Sequence, residues 1–228
     1  MISEKECWMK NRCKQLHCED EGGCLILYKL NYLFDSAIMP VSLRSYMPLK
    51  VDADGTDMEE FRHLSDIQNN IIDFVDKGSQ LYIYSSNCGC GKTSWAVRLM
   101  QSFFNKIWLK TELKCRGLFI DVPTFLLALK DNITNKSSYI QHIKDNIATC
   151  DLVIWDDISN KVGTEFEITH LLSMINSRIN NGKANIYTSN IAPDKLAGFL
   201  DDRLASRIVT GSEKIEFRGG DKRGLRNE

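Results

Sequence analysis

The sequence lacks long hydrophobic runs and has no excess of charge of either sign. No apolar stretch approaches the roughly 20 residues that a membrane-spanning helix needs, and the first residues contain no hydrophobic core of a signal peptide. Lysine and arginine total 29 against 30 aspartates and glutamates, a formal net charge of −1, which excludes a free-standing polyelectrolyte binder of nucleic acid. We therefore expect a cytoplasmic protein whose contacts with DNA, if it makes any, come from a local patch.

Hydrophobic residues at helical spacing alternate along the chain with short runs typical of strands. The 228 residues are 43% hydrophobic, enough for one full α/β domain and a small appendage. Thr56–Glu59 fits a capping box that starts a helix ending at Gly78, with a second possible N-cap at Ser65. Further regular segments are predicted as strands at 81–84, 117–122, 152–155, 184–190 and 214–217 and as helices at 139–148, 164–180 and 193–199. This order predicts an α/β fold with a parallel sheet flanked by helices.

The stretch Leu81–Ser94 has the layout of a phosphate-binding loop. A β-branched and aromatic run leads into a loop of small residues, and Gly-Lys-Thr stands at the start of a predicted amphipathic helix. Gly89 and Gly91 let successive N–H groups point into one concavity that suits phosphate oxygens, and the helix N-terminus adds its own unpaired N–H groups. Lys92 can reach the β- and γ-phosphates of a nucleotide, and the Thr93 hydroxyl can ligate Mg²⁺.

This loop departs from the usual P-loop pattern at one position. Ser86 replaces the first glycine of G-x-x-x-x-G-K-[ST], and a serine is tolerated there if its φ is negative. A chance Gly-Lys-Thr in a surface loop is the alternative, which the flanking strand and helix disfavour. The residues predicted to contact the nucleotide are Asn87, Cys88, Gly89, Cys90, Gly91, Lys92, Thr93 and Ser94.

A second motif follows about sixty residues later, where an apolar strand ends in two carboxylates. Leu152–Trp155 precede Asp156 and Asp157, the pattern of a buried parallel strand with acidic groups at its C-terminal end, the edge where ligands bind in open α/β sheets. Taken alone, a solvated strand end would explain this pattern equally well. Downstream of a P-loop it is a Walker B pattern, in which Asp156 holds Mg²⁺ and Asp157 orients or deprotonates the attacking water.

Polar side chains in the last third of the chain complete the predicted site. Asn190 ends a predicted strand, where it could hydrogen-bond the γ-phosphate or the attacking water; a simple strand-ending turn is the alternative. Arg203 and Arg207 lie four residues apart on one helical face. An arginine stabilises the charge that spreads over the γ-phosphate in the transition state, whereas a structural salt bridge is the competing explanation.

Four of the eight cysteines are crowded near the N-terminus, at Cys7, Cys13, Cys18 and Cys24. In a reducing compartment such a group is better explained by metal ligation than by disulfides. A segment this short also cannot bury enough apolar surface to fold alone. We predict a zinc site of four thiolates, with His17 as the alternative ligand to Cys18. A set of free, partly buried cysteines on a small helical segment is the other interpretation.

Together these motifs resemble those of the DnaC/DnaI-type helicase loaders, a branch of the AAA+ ATPases, in particular the versions carried by phages. The resemblance covers roughly residues 38–224 and is carried by 87–93, 155–158, 188–190 and 203–207, with 220–223 similar to the C-terminal signature of that family. It implies that Asn190 is a sensor residue and that Arg207, or else Arg203, is an arginine finger for a neighbouring subunit. Ser86 and the Asp-Asp pair depart from the family pattern, but neither departure removes a magnesium ligand.

The resemblance also implies a domain organisation and partners. It predicts an AAA+ P-loop core at 57–228, a linker at 38–56, and a zinc-binding module at 1–37 that grips a hexameric, DnaB-like replicative helicase. ATP and Mg²⁺ as cofactors, self-association through the AAA+ domain and weak binding of single-stranded DNA follow from it. The alternatives are an IstB-like transposition ATPase, which would bind duplex DNA and a transposase, and a non-hydrolysing nucleotide-binding adaptor.

Overall fold

A computed structural model describes residues 25–45, 55–132, 136–158 and 164–222. At the centre of the described part lies a five-stranded sheet with the order β2-β3-β4-β1-β5, in which each neighbouring pair is parallel. The strands are β1 (Gln80–Tyr84), β2 (Gly117–Asp121), β3 (Leu152–Asp156), β4 (Ala184–Ser189) and β5 (Ser212–Glu216). The predicted α/β architecture, a parallel sheet flanked by helices, is confirmed.

Helices connect the strands and cover the sheet. They are α1 (Leu25–Ser36), α2 (Met58–Asn69), α3 (Ile71–Asp76), α4 (Lys92–Ile107), α5 (Val122–Asp131), α6 (Ser138–Asn146), α7 (Glu165–Asn180) and α8 (Asp202–Val209), with 3₁₀ helices at Val41–Leu43 and Pro193–Gly198. Over the described ranges, none of these helices has both the length and the apolar character that crossing a membrane requires. The connections alternate strand with helix, as parallel neighbours require.

The sheet is buried on both faces, and each face has its own hydrophobic core. Ile154 of β3 packs in the core that α1 to α4 build, whereas its neighbours Val153 and Trp155 pack in the core of α5 to α8. Successive residues of a strand point to opposite faces, so a strand buried on both sides must be apolar at every position. This requirement explains the continuous run at Leu152–Trp155 that the sequence shows.

Helix α1 packs on the same core as the sheet although it falls within the predicted N-terminal module at 1–37. Leu30, Leu33 and Phe34 are fully buried, and the Phe34 ring lies 5.4 Å from the ring of Phe104 on α4. The buried face of α1 is therefore part of the same core as the sheet. The residues predicted to bind zinc, Cys7, Cys13, Cys18 and Cys24, with His17 as the alternative, lie outside the described residues.

The prediction of a capping box at Thr56–Glu59 is wrong. Helix α2 begins at Met58 with Asp57 as its N-cap residue, and the Asp57 side chain makes no cap hydrogen bond. Its carboxylate instead accepts the N–H groups of Arg218 and Gly219, at 2.7 and 2.9 Å. A distant backbone segment has thus replaced the local helix terminus as the partner of this carboxylate.

The helical region that begins with α2 ends at Gly78, as the sequence predicts, but its break lies at a different residue from the one predicted. Gly78 has a φ of +63° and donates its N–H to the Val75 carbonyl at 3.0 Å. A Cβ atom at Gly78 would lie 2.3 Å from the Gly182 carbonyl oxygen, so this position requires glycine for two reasons. The break that Ser65 could have introduced falls instead at Asn70, between α2 and α3.

A fully buried cation, Arg178 of α7, joins several elements on the α5 to α8 side of the sheet. Its Nε donates to Asn185 Oδ1 at 2.6 Å. Its Nη1 donates to the carbonyls of Ile147 and Cys150 at 2.7 and 2.9 Å, and its Nη2 donates to the carbonyl of Ala184 at 2.6 Å. Burial lowers the pKa of this guanidinium from its ordinary value. The side chain closes the turns that lead into β3 and β4.

Candidate nucleotide-binding site

The two predicted motifs meet at the carboxyl edge of the sheet. Strand β1 leads into the phosphate loop, and β3 ends at Asp156 on the other side of β4. Because the three strands are parallel, their carboxyl ends lie at the same edge. The Thr93 hydroxyl donates to Asp156 Oδ1 at 2.8 Å, so the fold brings together two residues that are 63 positions apart.

The backbone of the phosphate loop has the geometry that its glycines predict. Gly89 and Gly91 have φ values of +71° and +105°, in the left-handed region that a residue with a Cβ atom rarely adopts. Gly91 is also the N-cap of α4, so the unpaired N–H groups of that helix adjoin the loop and offer an anion site. Ser86 stays out of the positive-φ region, which is the condition for serine to replace glycine there.

The Lys92 side chain folds back over the loop. Its Nζ donates to the Asn87 carbonyl at 3.0 Å and lies 3.6 Å from Cys90 Sγ. The carbonyl carries no formal charge, and phosphate oxygens would be stronger acceptors for the same ammonium group. Lys92 is buried, so its position is set by the loop rather than by solvent.

Asp156 is a buried carboxylate that two hydroxyl groups hold in place. Its Oδ1 accepts from Thr93 Oγ1 at 2.8 Å and from Thr188 Oγ1 at 2.7 Å. Burial raises the pKa of Asp156; the two hydroxyls oppose this shift, and the nearby carboxylates of Asp121 and Asp157 add to it. A hydroxyl and a carboxylate in contact are oxygen ligands of the type that Mg²⁺ prefers. Thr93 and Asp156 therefore fit the magnesium site that the sequence predicts.

Asp157 and Asn190 are also brought together. Asn190 Nδ2 donates to Asp157 Oδ1 at 3.1 Å. Asp157 has a φ of +55°, a strained conformation for a residue other than glycine, and such strain concentrates at functional sites. Its N–H donates to Thr188 Oγ1 at 2.9 Å. Thr188 thus contacts both aspartates of the motif.

The two arginines lie on α8. Arg203 pairs with Asp201, with 3.1 Å between Nε and Oδ1, and its side chain is 70% exposed. Arg207 is likewise exposed. Leu204 and Ile208, on another side of α8, are buried, so the arginines face outward from the core. A group that acts on a neighbouring subunit would have to lie at such a surface.

The sequence reasoning missed the parts of this site that depend on pairing across the sheet. Thr188 occupies the strand end next to Asp156 because the β3–β4 register pairs Trp155 with Tyr187. Thr188 is close to Asn190 in the sequence, which indicated a functional strand end. It did not indicate the contact between Thr188 and Asp156. Asp57 was assigned to a capping box, although it contacts the segment that follows β5.

Comparisons with known proteins agree with this geometry. Residues 67–214 match the family described as the bacterial DnaA ATPase domain. The chromosomal replication initiator protein DnaA of Ureaplasma parvum serovar 3 is 33% identical over 75 residues, which are 33% of this chain and 16% of that protein. The chain spans 16 to 26% of the length of the curated DnaA proteins that it matches.

Solved structures of replication proteins share the fold. The crystal structure of the DnaC helicase loader has a TM-score of 0.60 at 18% identity, covering 77% of this chain and 96% of that one. The structure of the replication initiator DnaA bound to AMPPCP and single-stranded DNA has a TM-score of 0.55 at 22% identity, covering 73% and 48% of the two chains. The predicted similarity to DnaC/DnaI-type loaders is thereby confirmed at the level of the fold.

Proposed function

This chain belongs to the bacterial DnaA ATPase domain family, and from that premise we propose that it is an ATP-dependent helicase loader. It would bind a hexameric replicative helicase and deliver it onto single-stranded DNA when replication begins. The observation that carries the proposal is the assembly of Lys92, Thr93, Asp156 and Asp157 at one edge of the sheet. The fold shared with the DnaC helicase loader supports the choice of partner.

The first step is binding of the triphosphate. The N–H groups of the loop and of the α4 N-terminus would hold the phosphate oxygens, and Lys92 would exchange the Asn87 carbonyl for the β- and γ-phosphates. Thr93 and Asp156 would hold Mg²⁺, which when bound neutralises charge on the two terminal phosphates. The AMPPCP bound by the DnaA structure of the same fold supports this step.

The second step is hydrolysis. Asp157 would accept a proton from a water molecule while the water oxygen attacks the γ-phosphorus, and the bond from that phosphorus to the bridging oxygen would break to leave ADP and inorganic phosphate. Asn190 would hold the Asp157 carboxylate in the orientation that receives the proton. Arg207 of one subunit, or else Arg203, would stabilise the charge that develops on the γ-phosphate bound by its neighbour.

Replacement of Lys92 by alanine should weaken ATP binding. The change removes the cation that would face the phosphates, and hydrogen bonds to charged groups contribute about 1.5–3 kcal/mol, which corresponds to a rise in Kd of about 10- to 150-fold. Equilibrium titration with a fluorescent ATP analogue measures the effect. Lys144→Ala is the matched control, because Lys144 is exposed on α6. Equal affinity in the Lys92 variant and the wild type would contradict the assignment of the phosphate site.

Arg207→Ala is expected to reduce ATP turnover by about 1,000-fold in the self-associated protein and to leave ATP binding intact. Mixing this variant with Asp157→Asn should restore part of the turnover. In the mixture an intact Arg207 on one subunit can act on an intact Asp157 of its neighbour. Wild-type turnover in Arg207→Ala, together with a loss in Arg203→Ala, would transfer the role to Arg203. Wild-type turnover in both variants would refute an arginine finger on α8.

The cysteine-bearing residues 1–24 of the predicted module at 1–37 are proposed as the grip on the helicase, held together by zinc on Cys7, Cys13, Cys18 and Cys24, with His17 as the alternative to Cys18. Elemental analysis of the full-length chain should find about one zinc ion per chain. Joint replacement of Cys7 and Cys13 by serine should release the metal and abolish co-elution with the helicase, while ATP binding persists. Full-length protein without zinc that still binds the helicase would contradict this part of the proposal.

Co-elution with the replicative helicase of the same host, with and without ATP and read by light scattering, tests the proposed function directly. A complex of defined mass is the expected result, and single-stranded DNA should bind weakly to it, as the DNA-bound DnaA structure of the same fold suggests. Absence of a complex under every nucleotide condition would overturn the loader assignment. Binding of duplex DNA would then favour the IstB-like transposition ATPase.

A further inference from the structure

Residues 217–222, here called the C-terminal segment, follow β5 and run along the phosphate loop. Phe217 donates its N–H to the Tyr84 carbonyl at 2.8 Å, at the last residue of β1. Lys222 donates its N–H to the Gly89 carbonyl at 3.0 Å. The segment therefore contacts the loop both where the chain leaves the strand and at the first of the two glycines.

Asp57 and Asn87 hold the middle of the C-terminal segment from two sides. The Asp57 carboxylate accepts the N–H groups of Arg218 and Gly219, at 2.7 and 2.9 Å. Asn87 Nδ2 donates to the carbonyls of the same two residues, at 3.0 and 3.1 Å. Both N–H groups are thus bound by the residue at the start of α2, and both carbonyls are bound by the phosphate loop.

Asp57 makes this contact in place of a local one. It has a φ of +68° and makes no cap hydrogen bond, although aspartate is a preferred N-cap residue. Its side chain is 1% exposed, and the Lys222 ammonium lies 3.8 Å from it. That ammonium also lies 4.8 Å from the centre of the Phe61 ring, within the range of a cation–π contact. This buried pair fixes the far end of the segment against α2.

Asn87 links the C-terminal segment to the proposed phosphate-binding lysine. While its side chain is bound by the segment, its backbone carbonyl accepts from Lys92 Nζ at 3.0 Å and its N–H donates to Ser85 Oγ at 3.0 Å. The orientation of the Asn87 peptide group, and with it the place of the ammonium, therefore depends on the segment. A loop containing Gly89 and Gly91 has the backbone freedom to change conformation when that contact is lost.

We propose that Asp57 and Lys222 are positioning residues of the nucleotide site, which act through the C-terminal segment to hold the phosphate loop in the conformation that receives the triphosphate. The inference rests on the proposed ATP-binding function. Neither residue belongs to the P-loop or to the paired-aspartate motif. Loss of either contact lowers the fraction of molecules with a competent loop, and the apparent Kd rises by the inverse of that fraction.

Nucleotide affinity is the first test, with Asp57→Ala and Lys222→Met as the variants. Methionine keeps most of the apolar stem of Lys222 and removes its charge. Titration with a fluorescent ATP analogue, well below the melting temperature of each variant, should give a Kd raised about tenfold in both. Arg218→Ala is the matched control, since the Arg218 side chain is 73% exposed and pairs with Glu216, while its backbone groups remain bound. Lys222→Arg keeps the cation and should retain tight binding.

A second measurement reports on the loop without nucleotide. Cys90 is fully buried and Cys88 is exposed, so mass spectrometry of iodoacetamide-treated protein can follow the two thiols separately. Asp57→Ala and Lys222→Met should raise the alkylation rate of Cys90 about tenfold, in proportion to the open fraction of the loop, and leave that of Cys88 unchanged. Cys150, buried on the other side of the sheet, should stay protected, which distinguishes loop opening from global unfolding.

The two measurements separate the outcomes. Unchanged Kd values in both variants overturn the proposal, even if the melting temperatures fall, because the segment would then be structural only. Alkylation of Cys90 at the wild-type rate in both variants overturns it as well. If the wild-type protein binds no nucleotide, the proposed function fails. Faster alkylation of Cys90 in the variants than in the wild type would in that case still establish that Asp57 and Lys222 hold the loop.

Discussion

Asp157→Asn should lower ATP turnover at least 100-fold and leave ATP affinity within about twofold of the wild type. A positioned general base contributes about 10²- to 10⁴-fold to a rate, and asparagine cannot accept the proton from water. The proposed ligands of phosphate and magnesium, Lys92, Thr93 and Asp156, remain in place. Single-turnover hydrolysis separates the chemical step from binding, and Asp145→Asn serves as the control because Asp145 is exposed on α6.

The turnover of the wild type decides between the hydrolysing and the non-hydrolysing interpretations. Measurable turnover that disappears in Asp157→Asn excludes an adaptor that binds nucleotide without hydrolysing it. Tight ATP binding with no turnover in the wild type would favour that adaptor. Turnover that persists in the variant would refute Asp157 as the base and would leave its left-handed backbone without a catalytic explanation.

Arg178→Met should lower the free energy of unfolding by about 3–5 kcal/mol, because several buried acceptors would lose their donor. The carbonyls of Ile147, Cys150 and Ala184 all lose a donor, and an unsatisfied buried acceptor costs about 1–3 kcal/mol. Urea unfolding measures the change. Tryptophan fluorescence is a suitable signal, since the Trp155 indole donates to Asn185 Oδ1 within the same network, at 3.0 Å.

Two further variants make this stability prediction specific. Arg178→Lys keeps the charge but cannot reach the same set of acceptors with a planar fork of donors, so we expect an intermediate loss. Arg62→Met, at an exposed position of α2, should change the free energy of unfolding by no more than about 0.5 kcal/mol. Wild-type stability in Arg178→Met would mean that other groups satisfy the carbonyls, and would contradict the role given to the network.

The sequence predicted most of the secondary structure because the local signals were strong. The apolar run before Asp156 is typical of a strand buried on both faces, and Gly78 marks a helix end at a positive φ. The last strand begins earlier than predicted, at Ser212 instead of 214, and ends at Glu216. Its alternation is weaker, because the exposed Glu213 and Lys214 interrupt the apolar pattern.

The wrong capping box at Thr56–Glu59 shows where prediction from local sequence patterns fails. An Asp or Thr before a helix is a good capping signal because the nearest unpaired N–H groups belong to that helix. Asp57 instead binds N–H groups more than 160 residues away, in a segment that no local pattern connects to it. Local sequence patterns also could not predict the order of the strands or the register that sets Thr188 beside Asp156. Both depend on how distant strands pair.

The sequence by itself determined the chemistry: a lysine and a threonine after a glycine-bearing loop, and two aspartates and an asparagine at strand ends. These groups are set by residue type and short spacing, which local backbone geometry translates directly into position. Only the tertiary structure decided which of them meet, because contacts such as Thr93 with Asp156, Asn190 with Asp157 and Asp57 with the C-terminal segment join residues far apart in the chain. Parallel pairing and burial of the sheet create those contacts, and neither is encoded at any single position.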